Sequence, residues 1–455
     1  MRRFICLFLI FSAICATIPF SVLAEYDDVV IDEQNITYLI SEDKTHYIVY
    51  KGQGNSYEVI IPDSINGLPV TAIKDHAFKS YGNMKRLVIP DSIVEIGESA
   101  FSSRRTLETV EFGASVASIG DYAFAHCSKL KSVVIPDSVT KIGKAAFSDN
   151  SSLKTVEIGA NVSEFGTLVF NECLKLESIT VDENNSTLFS VDGVLFNKAT
   201  ATLIWYPSKK PEKSFTVPDG ITEISTAAFK CVTYLEDITF PDSVTKICNS
   251  VFYDCENLKK VVLGDGITEL GYGMFAVCKA LECVVLPKNL TIISRSAFIG
   301  CVNLKELNLP DSVKEIGDSA FVGCSSIKSI IIPSSVEYIG GYAFSEWTSE
   351  QTVCFVSNAP GNDWGNEEAE WDEECFANII WGFDPDSEPE FVRGDVNGND
   401  KIDAQDYALA KRHCLKTYTL TEEMVKRGDL NGNGNIDASE YAMIKRHCLG
   451  TFVIK

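Results

Sequence analysis

Phenylalanine recurs through the middle of the chain at a step of 23 residues. The two regular series are Phe78, Phe101, Phe124, Phe147 and Phe170, and then Phe229, Phe252, Phe275, Phe298, Phe321 and Phe344. Each lies in a shared phrase, Ile-Pro-Asp-Ser-Val-Thr-Lys-Ile-Gly-x-x-Ala-Phe followed by x-x-Cys-x-x-Leu-Lys-x-Val, as in Ile135 to Phe147. A unit this short cannot bury its own apolar face, whereas stacked copies form a continuous core. The pattern therefore predicts a solenoid of stacked coils.

Within each unit, apolar and polar residues alternate over one short stretch. In the segment Leu130–Ile135, successive residues are predicted to point alternately inward and outward, with Val133 and Ile135 inward, as in a strand with one buried face. Pro136 and Asp137 follow as turn residues, which predicts that the strand ends there. The step from Phe170 to Phe229 is 59 residues, or two units plus 13. This spacing predicts one enlarged coil within about 171–228, without a domain break.

These phrases resemble the BspA-like group of bacterial leucine-rich repeat proteins. The resemblance implies a mostly β leucine-rich repeat solenoid over residues 60–352, and the segment from Phe189 to Pro207 is similar to the longer coil that this group often inserts. Residues 25–59 resemble an N-terminal β cap. Residues 353–383 resemble a closing coil and cap, and this stretch contains Trp364, Trp371 and Trp381.

Two columns of repeated positions are predicted to point outward from the stacked strands. The first mixes both signs of charge: Lys85, Glu108, Lys131, Lys154, Glu177, Glu236, Lys259, Glu282, Lys305 and Lys328. Opposite charges on neighbouring strands attract modestly, so we interpret this column as a solvated charge ladder. The second contains Val88, Glu111, Val134, Glu157, Thr180, Thr239, Val262, Val285, Asn308 and Ile331. Its aliphatic members either form a protein-binding patch or reflect β propensity alone.

Six cysteines lie three residues after a repeat phenylalanine: Cys127, Cys173, Cys255, Cys278, Cys301 and Cys324. This periodicity indicates one repeated packing role, so we expect buried free thiols, although stacked coils bring equivalent Cα atoms within bridging range. Cys354 and Cys375 lie outside this series and are the best candidates for a disulfide. The absence of a Cys-x-x-Cys motif argues against a zinc or redox site.

The C-terminal region contains a duplication that indicates calcium binding. Residues 394–415 and 428–449 share 15 identities in 22 positions. A twelve-residue calcium loop takes its oxygen ligands from positions 1, 3, 5, 7, 9 and 12, where position 7 contributes a backbone carbonyl. In the first loop these ligand positions are Asp395, Asn397, Asn399, the Lys401 carbonyl, Asp403 and Asp406. The second places there Asp429, Asn431, Asn433, the Asn435 carbonyl, Asp437 and Glu440. Ile402 and Ile436 at position 8 are expected to pack inward.

Residues 391–455 resemble a dockerin, the module that docks proteins onto the cohesins of a cellulosome scaffoldin. The resemblance implies a small all-α domain of duplicated loop-helix motifs that holds two structural Ca²⁺ ions. It also implies that the cohesin face contains Ala404, Gln405, Lys411 and Arg412 and, in the second copy, Ala438, Ser439, Lys445 and Arg446. Ala408 and Ala442 join these faces because residues three or four apart share one side of a helix. We expect either copy to be able to dock.

The N-terminal segment and the charge of the chain indicate where the protein is located and which partners it can bind. Residues 1–24 begin with Arg2 and Arg3, continue with an apolar run and end in Val22-Leu23-Ala24, which predicts a cleaved secretory signal. The net charge of −23 argues against a nucleic-acid partner. Thirteen acidic residues and no Lys or Arg fall between Ser345 and Glu390. We interpret residues 384–390 as an acidic linker.

No catalytic motif is present: the chain lacks Gly-x-Ser-x-Gly, His-Glu-x-x-His and a phosphate-binding glycine loop. Of the five histidines, His76 and His126 flank repeat phenylalanines at sites where exposure is expected. The resemblances therefore imply a non-catalytic, secreted and cellulosome-associated protein whose solenoid binds protein or glycan in polysaccharide catabolism. One alternative is an inhibitor or regulator of a protease or other enzyme in the complex. Another is a polysaccharide-degrading enzyme whose site is not recognised.

Overall fold

The structure is a computed structural model that describes residues 28–358, 364–365, 370–383 and 385, and in the C-terminal region 409–410, 420, 424–425, 436 and 444. The chain divides into two compact units, Met1–Phe383 and Asp384–Lys455. The first unit is a β solenoid, as the repeat predicts. In the second unit, the described residues 409–410, 424–425 and 444 are helical.

The described part of the first unit begins with an antiparallel meander that leads into the solenoid. Its first six strands are β1 (Val29–Ile31), β2 (Ile36–Ile40), β3 (Tyr47–Gly52), β4 (Glu58–Ile60), β5 (Ser64–Ile65) and β6 (Leu68–Ile73). Strands β1, β2 and β3 pair antiparallel, and β3 then pairs in parallel with β6. Tyr38, Tyr47 and Val49 are buried beneath this meander. It therefore shields the first end of the stacked core from water.

Gly52 is required where the meander meets the first repeat phenylalanine. A Cβ atom at this position would lie 2.7 Å from the Cδ1 of Phe78 and 2.9 Å from the Cδ2 of Tyr81. No side chain fits at such distances, so glycine allows the first ring of the stack to pack directly against the β3 backbone.

Most of the following coils contribute two strands each, one of three or four residues and one of two residues. The next twelve strands are β7 (Arg86–Val88), β8 (Glu95–Ile96), β9 (Thr109–Glu111), β10 (Ser118–Ile119), β11 (Ser132–Ile135), β12 (Lys141–Ile142), β13 (Thr155–Ile158), β14 (Glu164–Phe165), β15 (Ser178–Val181), β16 (Leu188–Val191), β17 (Val194–Asn197) and β18 (Thr202–Trp205). The long strands confirm the predicted alternating segment. The short strands, in the Lys-Ile-Gly part of the phrase, were not predicted.

The remaining strands continue this arrangement to the end of the unit. They are β19 (Ser214–Thr216), β20 (Glu223–Ile224), β21 (Asp237–Thr239), β22 (Lys246–Ile247), β23 (Lys260–Val262), β24 (Glu269–Leu270), β25 (Cys283–Val285), β26 (Ile292–Ile293), β27 (Glu315–Ile316), β28 (Ser329–Ile332), β29 (Tyr338–Ile339), β30 (Thr352–Phe355) and β31 (Asn378–Trp381). Equivalent strands pair in parallel one repeat apart, for example Val133 with Val156 and Ile119 with Ile142. In this register each inward position stacks on its equivalent in the next coil.

The repeat phenylalanines form a stack of buried rings. From Phe78 to Phe170, successive ring centroids lie 4.6 to 6.4 Å apart. From Phe229 to Phe344 they lie 5.1 to 5.6 Å apart. Offset stacked rings at such distances attract one another beyond the effect of burial alone. The stack therefore holds neighbouring coils together along each half of the solenoid.

The enlarged coil contains a hairpin and one aromatic residue that the repeat pattern did not reveal. Strands β16, β17 and β18 pair antiparallel, and β18 then pairs in parallel with β20. Tyr206 stacks on Phe229 with ring centroids 5.0 Å apart. The neighbouring Trp205 meets Phe170 edge to face at 6.4 Å. Tyr206 lies 23 residues before Phe229, so the aromatic ladder resumes one unit earlier than expected.

The last coils end in an aromatic cluster. Strands β28, β30 and β31 form a parallel sheet, and the Phe355 ring stacks on Trp381 at 4.2 Å. Trp364 and Trp371 pack against the same Phe355 ring at 5.2 and 5.3 Å. The indole Nε1 of Trp364 also donates to the Glu337 carbonyl at 3.1 Å. These contacts cover the end of the stacked core.

Candidate interaction surfaces

The first outward column forms the expected charge ladder. Lys131 pairs with Glu108 at 3.0 Å, Lys154 with Glu177 at 2.9 Å and Lys305 with Glu282 at 2.7 Å, and in each pair the two residues are one repeat apart. Their side chains are 40 to 65% exposed, so water screens each pair and its contribution to stability is small.

Glu236 is the most strongly paired carboxylate of that ladder. Lys213 lies 2.6 Å from one of its oxygens and Lys259 lies 2.7 Å from the other. Hydrogen bonds from Lys213 and then Lys259 hold the pKa of Glu236 at about 2. Lys213 belongs to the same column, although the enlarged coil hid this from the repeat pattern.

The second outward column contains two small apolar patches. Val262 and Val285 are direct neighbours in parallel strands, and Val285 is 45% exposed. The exposed Asn308 separates them from Ile331 in the repeat order. Ile331 pairs with Cys354 in β30, which pairs in turn with the partly exposed Ile380 in β31. The aliphatic members therefore do not form one continuous stripe.

Many of the repeated aspartates have a structural role between coils. The Oδ1 of Asp137 accepts the backbone N–H of Ala160 at 2.8 Å, and Asp91 accepts that of Ala114 at 2.7 Å. Asp121 accepts the N–H of Lys144 at 2.7 Å. Each carboxylate thus satisfies a backbone donor one repeat later, a role beyond the turn that the sequence predicts at Asp137. These acids stabilise the solenoid and are not free to bind a ligand with the same oxygen.

The cysteine series is buried and consists of free thiols, as predicted. Each thiol also donates to the carbonyl of the repeat phenylalanine in the preceding coil. The thiol of Cys278 lies 2.9 Å from the Phe252 carbonyl oxygen, and that of Cys301 lies 3.1 Å from the Phe275 carbonyl oxygen. Burial raises the pKa of Cys324 to about 12. These thiols therefore fill space and donate hydrogen bonds, and they are protected from reaction.

Two other side chains at this position confirm the donor role. The amide of Asn150 donates to the Phe124 carbonyl at 3.1 Å, and the indole of Trp347 donates to the Phe321 carbonyl at 2.9 Å. Three unrelated residue types thus make the same hydrogen bond. In the sequence of these coils, this repeat position is occupied by Cys, Asn or Trp. These side chains share the ability to donate a hydrogen bond.

The disulfide considered for Cys354 and Cys375 is not formed, and both are free thiols. Strand register gives the reason. Cys354 pairs with Ile380, whereas Cys375 lies five positions earlier and before the start of β31. The two thiols therefore belong to different columns of the closing coil.

The described residues contain no cluster of three or more His, Cys, Asp or Glu side chains that could hold a metal ion. His76 and His126 are exposed, as expected from their positions. His126 Nδ1 lies 3.6 Å from the Asp149 carboxylate, where both groups face solvent.

The predicted calcium ligands and cohesin-facing residues all lie outside the described residues. Three of the positions that the structure describes in the second unit lie within or close to the predicted loops and helices. Ile436, at loop position 8, is 2% exposed, in agreement with the predicted inward packing. Ala410 and Ile444, which are equivalent in the two copies of the duplication, are both fully buried.

Comparison with protein families identifies the solenoid. Six copies of the BspA type leucine-rich repeat region match residues 71–197, 208–324 and 270–360, which together cover more than half of the chain. The chain therefore belongs to the family of BspA-type leucine-rich repeat proteins. Residues 393–449 match the dockerin type I domain, so the chain also carries that module. No curated protein matched the sequence.

Solved structures agree with this fold. The chain is similar to a leucine-rich repeat protein from Eubacterium ventriosum, with 23% identity, 67% of this chain and 91% of that chain covered, and a TM-score of 0.50. It is also similar to the pneumococcal vaccine antigen PcpA, with 23% identity, 78% and 98% covered, and a TM-score of 0.56. Likeness at this identity establishes the fold alone.

These assignments define the class of function. A dockerin binds cohesins in extracellular cellulosome-type assemblies, and type I dockerins generally bind calcium. A leucine-rich repeat domain presents a protein-binding surface, and both kinds of domain are typically non-catalytic. Within the described part of the chain, no helix has the length and hydrophobicity needed to cross a membrane.

Proposed function

We propose that the protein is a non-catalytic, secreted component of a cellulosome-type assembly. Its dockerin anchors it to a scaffoldin cohesin in a calcium-dependent manner, while the solenoid presents a surface to a protein or glycan. The observation that carries this proposal is the dockerin match to residues 393–449, which spans both copies of the duplicated loop. Secretion follows from the signal proposed at residues 1–24.

Two calcium ions are the structural cofactors in this proposal. Each loop offers six oxygen ligands, beginning at Asp395 and Asp429, and carboxylate, amide and carbonyl oxygens are the ligands that Ca²⁺ prefers. The burial of Ile436 supports a folded second loop. Because ion binding and folding are coupled, Asp395→Ala combined with Asp429→Ala should abolish both the folded module and cohesin binding.

The cohesin face is proposed to lie on the side of each helix opposite its buried residue. Ala410 is fully buried, and on a helix of 3.6 residues per turn the positions 405, 408 and 412 would lie roughly opposite it, with 411 about 100° away at the edge of that face. The same relation holds for Ile444 and the second copy. Lys411 and Arg412 in one copy, and Lys445 and Arg446 in the other, supply the positive charge of two equivalent faces.

A screen against a cohesin array in calcium and in chelator tests the proposal. We expect one or more cohesins to bind the full chain in calcium and to be released by chelator. Removing the charge of one basic pair should weaken binding little, because the second face substitutes, and removing both pairs should abolish it. Binding that persists in chelator would contradict the calcium assignment. Polysaccharide or casein hydrolysis that disappears with one carboxylate substitution would contradict the non-catalytic role.

A further inference from the structure

A cavity lined by lysines opens beside the first outward column near the start of the solenoid. It has a volume of about 370 Å³ and is lined by Lys85, Thr106, Glu108, Lys129 and Lys131. These residues come from three successive coils. The volume is at the lower end of the range for small-ligand sites, which suits one or two sugar-sized groups.

The cavity is positively charged in a strongly acidic protein. Three lysines against one glutamate leave an excess of two positive charges in its lining, while the chain as a whole carries −23. Glu108 is already engaged by Lys131 at 3.0 Å. Lys85 and Lys129 form no ion pair with any residue that the structure describes. Both ammonium groups are thus available to an anion.

The electrostatics of Glu108 agree with this view. Its pKa is lowered, first by the hydrogen bond and charge of Lys131, and further by the charges of Lys85 and Lys129. All three cations therefore act on the same small volume. A second carboxylate that enters the cavity would experience the field of the two lysines that Glu108 does not neutralise.

An exposed aromatic ring lies beside Lys85, on the N-terminal side of the cavity. Tyr57 occupies the same column as Lys85 in the preceding coil, and its carbonyl accepts the Lys85 amide at 2.7 Å. The Lys85 ammonium lies 5.0 Å from the Tyr57 ring centroid. The ring is 64% exposed and offers an apolar face next to a cation. Such a pair matches a ligand that combines a flat C–H surface with a carboxylate.

We propose that this cavity binds a uronic-acid residue of an acidic polysaccharide. Lys85 and Lys129 would bind the carboxylate, the Thr106 hydroxyl oxygen would accept from a sugar hydroxyl, and the Tyr57 ring would cover the sugar face. The net charge of −23 on the chain disfavours densely charged nucleic acid. The choice of glycan over acidic peptide rests on the glycan alternative of the proposed function, in which the solenoid is anchored in a cellulosome-type assembly.

The test is calorimetric titration of the full chain with trigalacturonate, with neutral cellotriose and with hexaglutamate. We expect trigalacturonate to bind, cellotriose to show no binding, and hexaglutamate to bind at least about ten-fold more weakly. Lys85→Gln and Lys129→Gln should each lower the trigalacturonate affinity about ten-fold, the effect expected for one lost charge-assisted hydrogen bond. Affinity should also fall as salt rises, because exposed charges are screened.

Lys305→Gln is the matched control. Lys305 belongs to the same column, is 62% exposed and pairs with Glu282 at 2.7 Å, but it does not line the cavity. This variant should bind trigalacturonate like the parent protein. Tyr57→Ala should weaken trigalacturonate and leave any residual hexaglutamate binding unchanged.

Three outcomes would overturn the proposal. The first is that trigalacturonate does not bind at all, the second is that Lys305→Gln and Lys129→Gln lower the affinity for trigalacturonate equally, and the third is that hexaglutamate binds as tightly as trigalacturonate does. Circular dichroism of each variant confirms that it is folded. Cohesin binding is measured on the same preparations. If the protein binds cohesin but not trigalacturonate, the proposed uronate site alone is wrong. If it binds trigalacturonate but not cohesin, the docking proposal alone is wrong.

Discussion

Phe275 offers a direct test of how the solenoid is held together. Its ring is fully buried and lies 5.4 Å from the Phe252 ring and 5.2 Å from the Phe298 ring. Phe275→Ala removes the buried side chain and leaves a cavity, at a cost of about 3–5 kcal/mol. That range includes the two lost ring pairs, which account for about 0.5–1.5 kcal/mol each. The expected loss in the free energy of unfolding is therefore near the upper end, about 4–5 kcal/mol.

The loss should be local, because each coil of a solenoid contacts only its neighbours. Urea unfolding followed by circular dichroism measures the free energy, and amide hydrogen exchange measures where protection is lost. We expect Phe275→Ala to reduce protection between residues 252 and 298 before it affects the coils near Phe101. Phe275→Leu keeps most of the volume and loses mainly the ring pairs, so its cost should be about 1–3 kcal/mol.

Phe376→Ala is the control, because this ring is 75% exposed. Its effect should stay within about 0.5 kcal/mol. Equal urea midpoints for Phe275→Ala and Phe376→Ala, or a uniform loss of amide protection along the unit, would refute the view that the ring stack couples adjacent coils.

Three further predictions concern single side chains. The Tyr206 hydroxyl is buried with no hydrogen-bond partner among the described residues, so Tyr206→Phe should raise stability by about 1 kcal/mol, and a lower melting temperature would contradict this. The pKa of Glu236 is held at about 2, below its ordinary 4.5, so its stabilisation is complete above about pH 4.5 and is lost as the pH falls towards 2. The stability difference between the parent protein and Glu236→Gln should therefore shrink over that range, and a constant difference would contradict it. Because burial raises the pKa of Cys324 to about 12, maleimide should label the half-buried Cys283 first and Cys324 only after unfolding, which mass spectrometry of the labelled peptides measures.

Spacing alone determined the architecture of the first unit. A phenylalanine every 23 residues, with an alternating Val133 and Ile135, specifies both the repeat length and the inward face. The calcium assignment likewise depends on short-range information, since a loop that begins at Asp395 or Asp429 draws all its ligands from twelve consecutive residues. Patterns of this kind are visible in the sequence because the interacting residues stand at fixed, short separations.

The features that the sequence did not determine depend on the register in which neighbouring coils pair. The position of the 13 extra residues was open until β18 paired with β20 and Tyr206 stacked on Phe229. Asp137 could be assigned as a turn residue from its neighbours, but its acceptor role toward Ala160 exists only when two coils stack. The basic cavity likewise collects side chains from three coils. Sequence periodicity determines which face each residue occupies, whereas only the tertiary structure determines what lies opposite it.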